Sequence, residues 1–86
     1  MKVLHLSSEK TWRGGEQQIA YLIEELTKKK VTSFVALREN SSFEKYCLAQ
    51  KIPHQSFSFS SEFDLKTSWG IKNYARDCGV DLIHIH

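Results

Sequence analysis

The chain has 86 residues, of which 41% are hydrophobic and 26% charged, and its formal net charge is +2. This length suits one small domain, the hydrophobic content is ordinary for a folded soluble protein, and so small a charge argues against nucleic acid as a partner. No apolar run approaches the roughly 18 residues that a membrane span requires, and the N-terminus lacks a hydrophobic signal segment.

The two cysteines, Cys47 and Cys78, fall in segments predicted to be helical and lack the CxxC spacing of zinc or redox motifs. We therefore expect free thiols in a reducing compartment, which favours a cytoplasmic location.

The first part of the chain predicts a strand followed by a helix. Residues 3–6 (VLHL) form an apolar run with one histidine, which suits a strand buried on both faces. From Glu16 onward the apolar residues recur at i, i+3, i+4 and i+7, the spacing of one helical stripe. They are Ile19, Leu22, Ile23 and Leu26. The basic run at residues 28–30 (KKK) falls where this helix should end, so a solvated helix terminus is favoured over a phosphate-binding patch.

The rest of the chain continues the alternation. Residues 31–37 (VTSFVAL) predict a second strand, and Ser42 is a candidate cap for a helix that runs to about Lys51. Residues 54–59 (HQSFSF) predict a short third strand, residues 65–78 a helix that ends at Gly79, and residues 81–86 a fourth strand. We expect the aromatic residues of this part in the core rather than in a stacking platform. They are Phe43, Tyr46, Phe57, Phe59, Trp69 and Tyr74.

The series β-α-β-α-β-α-β predicts an α/β fold: a Rossmann-like parallel sheet of order 3-2-1-4 with helices on both faces. Strands one and four are then neighbours, and the winding reverses between them. Ligands of such sheets bind at this switch point, at the carboxyl ends of the strands, where residues 7–15 and His86 are predicted to meet. The fourth strand is an exposed edge in this order, so we also expect marginal stability or self-association.

Two glycines, Gly14 and Gly15, precede Glu16 at the predicted helix start. Glycine lets a ligand approach the backbone closely, and the N–H groups of a first helical turn can hold a phosphate. A flexible helix start without a ligand explains the pair equally well. A dinucleotide site is a weaker interpretation, since the third glycine of GxGxxG is absent, although Glu39 follows the second strand as a ribose-binding acid would.

Three histidines raise the question of a metal site. His84 and His86 lie two apart on a strand and so share a face, and His5 on the adjacent strand could join them. No carboxylate lies at ligand spacing in these strands, so packing or hydrogen bonding within the sheet is the favoured role of His5 and His84. His86, at the open end of the strand, is the functional candidate.

The segments RGGEQQ (13–18) and DLIHIH (81–86), with their order and separation, resemble family 4 of the retaining glycosyltransferases, which have two facing Rossmann-like domains in the GT-B architecture. The resemblance covers the whole chain. It implies transfer of a sugar from a nucleotide-sugar donor to a glycan or lipid-linked acceptor, in glycan biosynthesis, and it allows peripheral contact with a membrane surface in a longer protein.

The same resemblance assigns roles to individual residues. Gly14 and Gly15 match the loop that approaches the donor diphosphate, and His86 matches a catalytic histidine beside the anomeric centre. Residues Glu16 and Gln17 match helix-start positions that line the acceptor cleft. Arg13, a further candidate for lining the cleft, and Trp12 could equally contact a ligand or close the loop on the sheet. No metal and no cofactor is expected, because a helix N-terminus and glycine amides can stabilise the leaving diphosphate. Lys30 stands where the family often has a glycine that ends the first helix, a change that affects helix termination.

On this resemblance, residues 1–86 are part of the N-terminal, acceptor-side domain, a truncated half of it, and the C-terminal donor-binding domain is absent. We therefore expect the chain to be inactive alone. Two alternatives stay open: a non-catalytic phosphate- or nucleotide-binding α/β module, and a metal-dependent hydrolase that uses His5, His84 and His86.

Overall fold

The structure, a computed structural model, describes residues 1–8, 14–58 and 65–85. In these residues helices and strands alternate. The elements are β1 (Lys2–Ser7), α1 (Gly14–Lys28), β2 (Thr32–Arg38), α2 (Ser42–Gln50), β3 (His54–Phe57), α3 (Leu65–Cys78) and β4 (Leu82–Ile85). The strands form one parallel sheet of order β3-β2-β1-β4, which confirms the predicted order 3-2-1-4. None of the described helices is long and apolar enough to cross a membrane.

The helices cover both faces of the sheet, as predicted. On the first, which we call the α1–α2 face, a core forms between the two helices and β2. Its fully buried members are Ile19, Ala20, Ile23, Val35, Leu37, Phe43 and Cys47. On the opposite α3 face, Leu4 and Ala36 pack with Phe57 of β3 and Ala75 of α3. Burial raises the pKa of the Cys47 thiol to about 12, with a smaller contribution from the Glu44 carboxylate, so this thiol stays neutral in the core.

Two helix starts differ from those predicted. Helix α1 begins at Gly14, so both glycines belong to its first turn rather than to the loop before Glu16. The cap of α2 is Ser41 and not Ser42: its backbone is extended, and its hydroxyl accepts a hydrogen bond from the Glu44 N–H at 3.2 Å. Glu44 stands three residues after Ser41, the spacing of a capping box, and its carboxylate accepts from the N–H of Asn40, the residue before the cap, at 3.2 Å.

The prediction for Trp69 was wrong, since its side chain is 66% exposed on the outer surface of α3. The buried side of this helix is carried by Thr67, Ile71, Tyr74 and Ala75, which are spaced i, i+4, i+7 and i+8. Trp69 is two residues from Thr67 and from Ile71, about 200° away around a helix of 3.6 residues per turn. The other residues of that predicted set are buried or half-buried as expected, namely Phe43, Tyr46, Phe57 and Tyr74, and Phe59 lies outside the described residues.

The helix ends use left-handed residues. Gly79 ends α3 with φ of +68°, as predicted, and its N–H donates to the Arg76 carbonyl at 3.1 Å. The turn after α1 uses Lys30 at φ of +63°, and α2 ends at Lys51 with φ of +57°. All three lysines at residues 28–30 are exposed, as a solvated helix terminus requires.

Strand β4 is an edge of the sheet, as predicted, and β1 is its partner. Three of its apolar side chains are largely exposed: Leu82 at 51%, Ile83 at 46% and Ile85 at 71%. Such an edge combines unpaired backbone groups with an apolar surface.

We predict that replacing Gly70 by alanine destabilises the fold. A Cβ at this position would lie 2.7 Å from Cε1 of Phe57, whose ring is held in the core of the α3 face. Alanine normally stabilises a helix interior over glycine, but here overpacking should cost about 1–3 kcal/mol. Urea unfolding followed by circular dichroism measures the change. Alanine at the neighbouring exposed Ser68 is the control, and a more stable Gly70→Ala variant would contradict the contact.

We also predict that the 86-residue chain self-associates through β4. Ile85→Lys places a charge on the edge strand, as natural sheets do to block pairing, and should shift the chain toward monomer. Sedimentation velocity over a range of concentrations measures this. Tyr21→Lys on α1 removes a residue of similar exposure, 60%, away from the edge and should leave association unchanged. A wild-type chain that is monomeric at every concentration would refute the prediction.

Candidate functional site

The candidate site lies at the carboxyl edge of the sheet, where β1 and β4 end side by side. Leu6 of β1 pairs with Ile85 of β4, and Ser7 pairs with Leu37 of β2. Helix α1 follows β1 along the chain, so its N-terminus is at the same edge. The chain turns from β1 toward β2 on one side and returns to β4 on the other, which makes this the switch point of the sheet.

The first turn of α1 contributes two glycines and a carboxylate. Gly14 and Gly15 have a helical backbone, so glycine is not needed here for a left-handed conformation. What the two residues provide is a helix start without Cβ atoms, which a ligand can approach closely. Glu16 is 2% exposed and Gln17 half-buried, and both side chains make contacts in the structure. An acidic residue here lies at the positive end of the helix macrodipole. The N–H groups of this turn have no acceptors within the helix.

Two residues assigned to the site lie outside the described residues: Arg13, immediately before α1, and His86, immediately after β4. Their roles stay predictions. Trp12, which by sequence could equally contact a ligand or close the loop, also lies there.

A row of polar side chains crosses the α1–α2 face below this edge. His5 of β1 is fully buried, and its Nε2 lies 3.3 Å from Oγ of Ser33 on β2. On its other side the His5 ring is 5.9 Å from the ring of His84, measured between centroids. The prediction that His5 is hydrogen-bonded within the sheet is confirmed. His84 instead lies exposed beside it, because β4 is the edge strand.

These histidines do not assemble a metal site with other described residues. In residues 1–8, 14–58 and 65–85, no group of three His, Cys, Asp or Glu side chains could hold a metal ion. One nitrogen of His5 is already occupied by Ser33.

The N-terminus of α2 reaches the same edge but is closed to an anion. Its Ser41 hydroxyl accepts from the Glu44 N–H, and the Glu44 carboxylate accepts from the Asn40 N–H at 3.2 Å and from the hydroxyl of Ser56. The chain's own oxygens therefore take the donors that a phosphate would use.

Sequence reasoning missed Arg38, which it placed in a loop. Arg38 is the last residue of β2, and its Nε donates to the Ser8 carbonyl at 2.8 Å, so the ends of β1 and β2 are tied together and a cation stands at the edge. A signal in the sequence could have found it, because extending the predicted strand 31–37 by one residue includes Arg38. Glu39 follows it with an exposed side chain, and its N–H donates to the Phe57 carbonyl at 2.9 Å.

No protein-family model matches the sequence, and no curated protein matches it. Among solved structures, the chain is similar to MurG of Acinetobacter baumannii, with a TM-score of 0.81 and 11% sequence identity. The match covers 98% of this chain and 27% of that chain, so the chain spans about a quarter of the length of the protein that it resembles. At this identity the likeness shows the fold alone: a Rossmann-like α/β parallel sheet.

We predict that Ser33→Ala destabilises the fold through His5. The change removes a hydrogen bond from a fully buried imidazole, a loss that costs about 1–3 kcal/mol. Urea unfolding followed by circular dichroism measures it. Ser42→Ala is the matched control, because Ser42 does not cap α2, and should stay within about 0.5 kcal/mol of wild type. Equal stability of Ser33→Ala and wild type would show that this bond is not needed.

Proposed function

We propose that this chain is part of the N-terminal, acceptor-side domain of a retaining glycosyltransferase of family 4, which transfers a sugar from a nucleotide-sugar donor to a glycan or lipid-linked acceptor. On this proposal the 86 residues alone transfer no sugar, because the donor-binding domain is not among them. We place the reaction in the cytoplasm, in keeping with two unpaired cysteines, Cys47 and Cys78.

The observation that carries the proposal is the position of the α1 N-terminus at the switch point. Its first turn offers amide N–H groups and two residues without a Cβ beside the ends of β1 and β4. The equivalent turn of α2 is blocked by Ser41 and Glu44. An anionic group that enters at this edge therefore finds its donors at α1.

Similarity to MurG supports the enzyme class. MurG is a glycosyltransferase of the GT-B class, and the topology of this chain follows it over 98% of the chain. Fold alone does not determine function, so the class rests on this likeness together with the site and the RGGEQQ and DLIHIH segments.

The residues of the site divide between the two substrates. When the acceptor oxygen bonds to the anomeric carbon, the bond from that carbon to the diphosphate oxygen breaks and the hydroxyl proton passes to the departing diphosphate. The amides of residues 14 and 15 would stabilise the negative charge that develops on this leaving group, together with the helix macrodipole. Following the resemblance, we assign Glu16 and Gln17 of this turn, with Arg13 before it, to the acceptor side of the cleft. His86 would contact the transferred sugar.

A non-catalytic module that binds a phosphate or nucleotide is the second candidate, and the position of the first turn of α1 at the switch point favours it equally. The transferase and the binding module differ in whether a sugar is transferred to an acceptor. The metal-dependent hydrolase is less favoured, because Ser33 already engages His5 and no other described residues complete a metal site.

The test uses the longer protein, in which residues 1–86 are joined to a second domain, and measures release of nucleoside diphosphate with acceptor present. Gly15→Trp should lower turnover by about 100-fold or more, since it fills the approach to the α1 amides. Tyr21→Trp, on an exposed part of the same helix, should leave turnover unchanged. The 86-residue chain itself should show no transfer.

His86→Ala provides the second arm, with His84→Ala as its control two residues away on the same strand. A transferase should lose turnover with His86→Ala and keep it with His84→Ala. Loss with both variants, together with inhibition by a chelator, would favour the hydrolase. Nucleotide binding without release of diphosphate would favour the binding module, and unchanged turnover in Gly15→Trp would refute the assignment of the glycines.

A further inference from the structure

A groove lies between the C-terminal halves of α1 and α2, at the amino edge of the sheet and so opposite the candidate site. It consists of two adjoining cavities of about 370 and 480 Å³, which are the size of small-molecule sites. The cavities share four residues, Ile23, Thr27, Gln50 and Ile52. The smaller cavity opens at the sheet edge, where Lys30 and Lys51 both line it.

Both lysines hold a strained backbone. Their φ angles of +63° and +57° lie in the left-handed region, which disfavours any residue with a Cβ and is usually filled by glycine at a helix end. The chain uses glycine in the same role at α3, where Gly79 has φ of +68°. Gly79 does not line the groove, whereas the two lysine caps line one cavity from two different helices.

The favourable interaction of a cation with the helix dipole does not explain why lysine occupies these two left-handed positions. Lys28 already supplies a cation in the last turn of α1 with an ordinary helical backbone. The carbonyls near both helix ends are also engaged: the Val31 N–H donates to Leu26 and the Ile52 N–H to Cys47, each at 2.9 Å. Neither Lys30 nor Lys51 forms an ion pair with any residue that the structure describes.

The sequence pattern alone favours a solvated terminus for residues 28–30. The structure adds a second lysine from another helix and a cavity between the two. The floor of the groove is apolar where Ile23 and Ile52 meet, and the Thr27 hydroxyl is committed to the Ile23 carbonyl at 2.7 Å. The groove therefore offers two cations at one end and the apolar contact of Ile23 with Ile52 beyond them. The rim of the second cavity carries Glu24 and Lys28, one charge of each sign, so the net charge of the groove stays positive.

We propose that this groove binds a small amphipathic anion, with its carboxylate or phosphate group between Lys30 and Lys51 and its apolar part over Ile23 and Ile52. The site is separate from the proposed sugar-transfer cleft and does not depend on it.

The test uses the strained backbone of Lys30 and Lys51, because glycine at these positions should stabilise the fold while it removes both cations. In Lys30→Gly/Lys51→Gly both caps relax, so the double variant should unfold about 4 °C above wild type without ligand. With hexyl phosphate as the probe, the wild-type midpoint should rise by several degrees, because a ligand that binds only the folded state stabilises it. The double glycine variant should show no rise despite its greater stability. Inorganic phosphate should act more weakly than hexyl phosphate, since it lacks the apolar part.

Lys45→Gln/Lys72→Gln removes two exposed lysines that lie outside the groove and should keep the wild-type response. In nuclear magnetic resonance spectra, hexyl phosphate should shift the wild-type amide signals of Thr27, Gln50 and Ile52. A full response in the double glycine variant, loss of response in the Lys45/Lys72 control, or unshifted groove amides would each overturn the proposal. None of these measurements involves sugar transfer, so their failure would leave the proposed function intact.

Discussion

The parallel pairing of β1 with β2 on one side and with β4 on the other determines where the other elements of this chain lie. Two parallel strands cannot be joined by a tight turn, so each connection must cross a face of the sheet. Because crossovers are right-handed, the direction of each step between strands decides which face its helix covers. The step from β1 to β2 puts α1 on one face, and the step from β3 back to β4 puts α3 on the opposite one. The α1 N-terminus follows β1 at the carboxyl edge as a direct consequence.

Most of this architecture could be predicted from the sequence because it depends on periodicity. The spacing of Ile19, Leu22, Ile23 and Leu26 and the β-branched run of β2 are local signals that agree with the tertiary fold. Trp69 was misplaced because periodicity was counted through the largest apolar residue of α3 rather than through the small ones. The packing of Gly70 against Phe57 and the burial of Ala75 show that small residues bring this helix close to the sheet.

The location of the candidate site was predictable, but its chemistry was predictable only in part. Topology alone places the ends of β1 and β4 together, so the convergence at the switch point follows from strand order. The spacing of Ser41 and Glu44 is a local signal for the cap of α2, and it was read one residue too late. The contact of Glu44 with Ser56 of β3, 12 residues away, holds the same carboxylate in place and could not be read from spacing. Arg38 was missed for a similar reason, because its bond to Ser8 joins two strands far apart in the sequence.

The two faces of the sheet also differ in a way that bears on function. On the α3 face, β1 and β2 present only apolar side chains to the core, among them Leu4, Leu6 and Ala36. On the α1–α2 face the same strands bury His5, Ser7 and Ser33. Burying a polar group costs free energy unless it is hydrogen-bonded, and at best it equals the apolar alternative that the opposite face uses. Here the described residues leave no buried side-chain nitrogen or oxygen without a hydrogen-bond partner, and His5 and Ser33 satisfy each other, so the polar row is held at little cost in free energy. It lies beneath the face on which α1 begins, the side of the sheet where the proposed chemistry takes place.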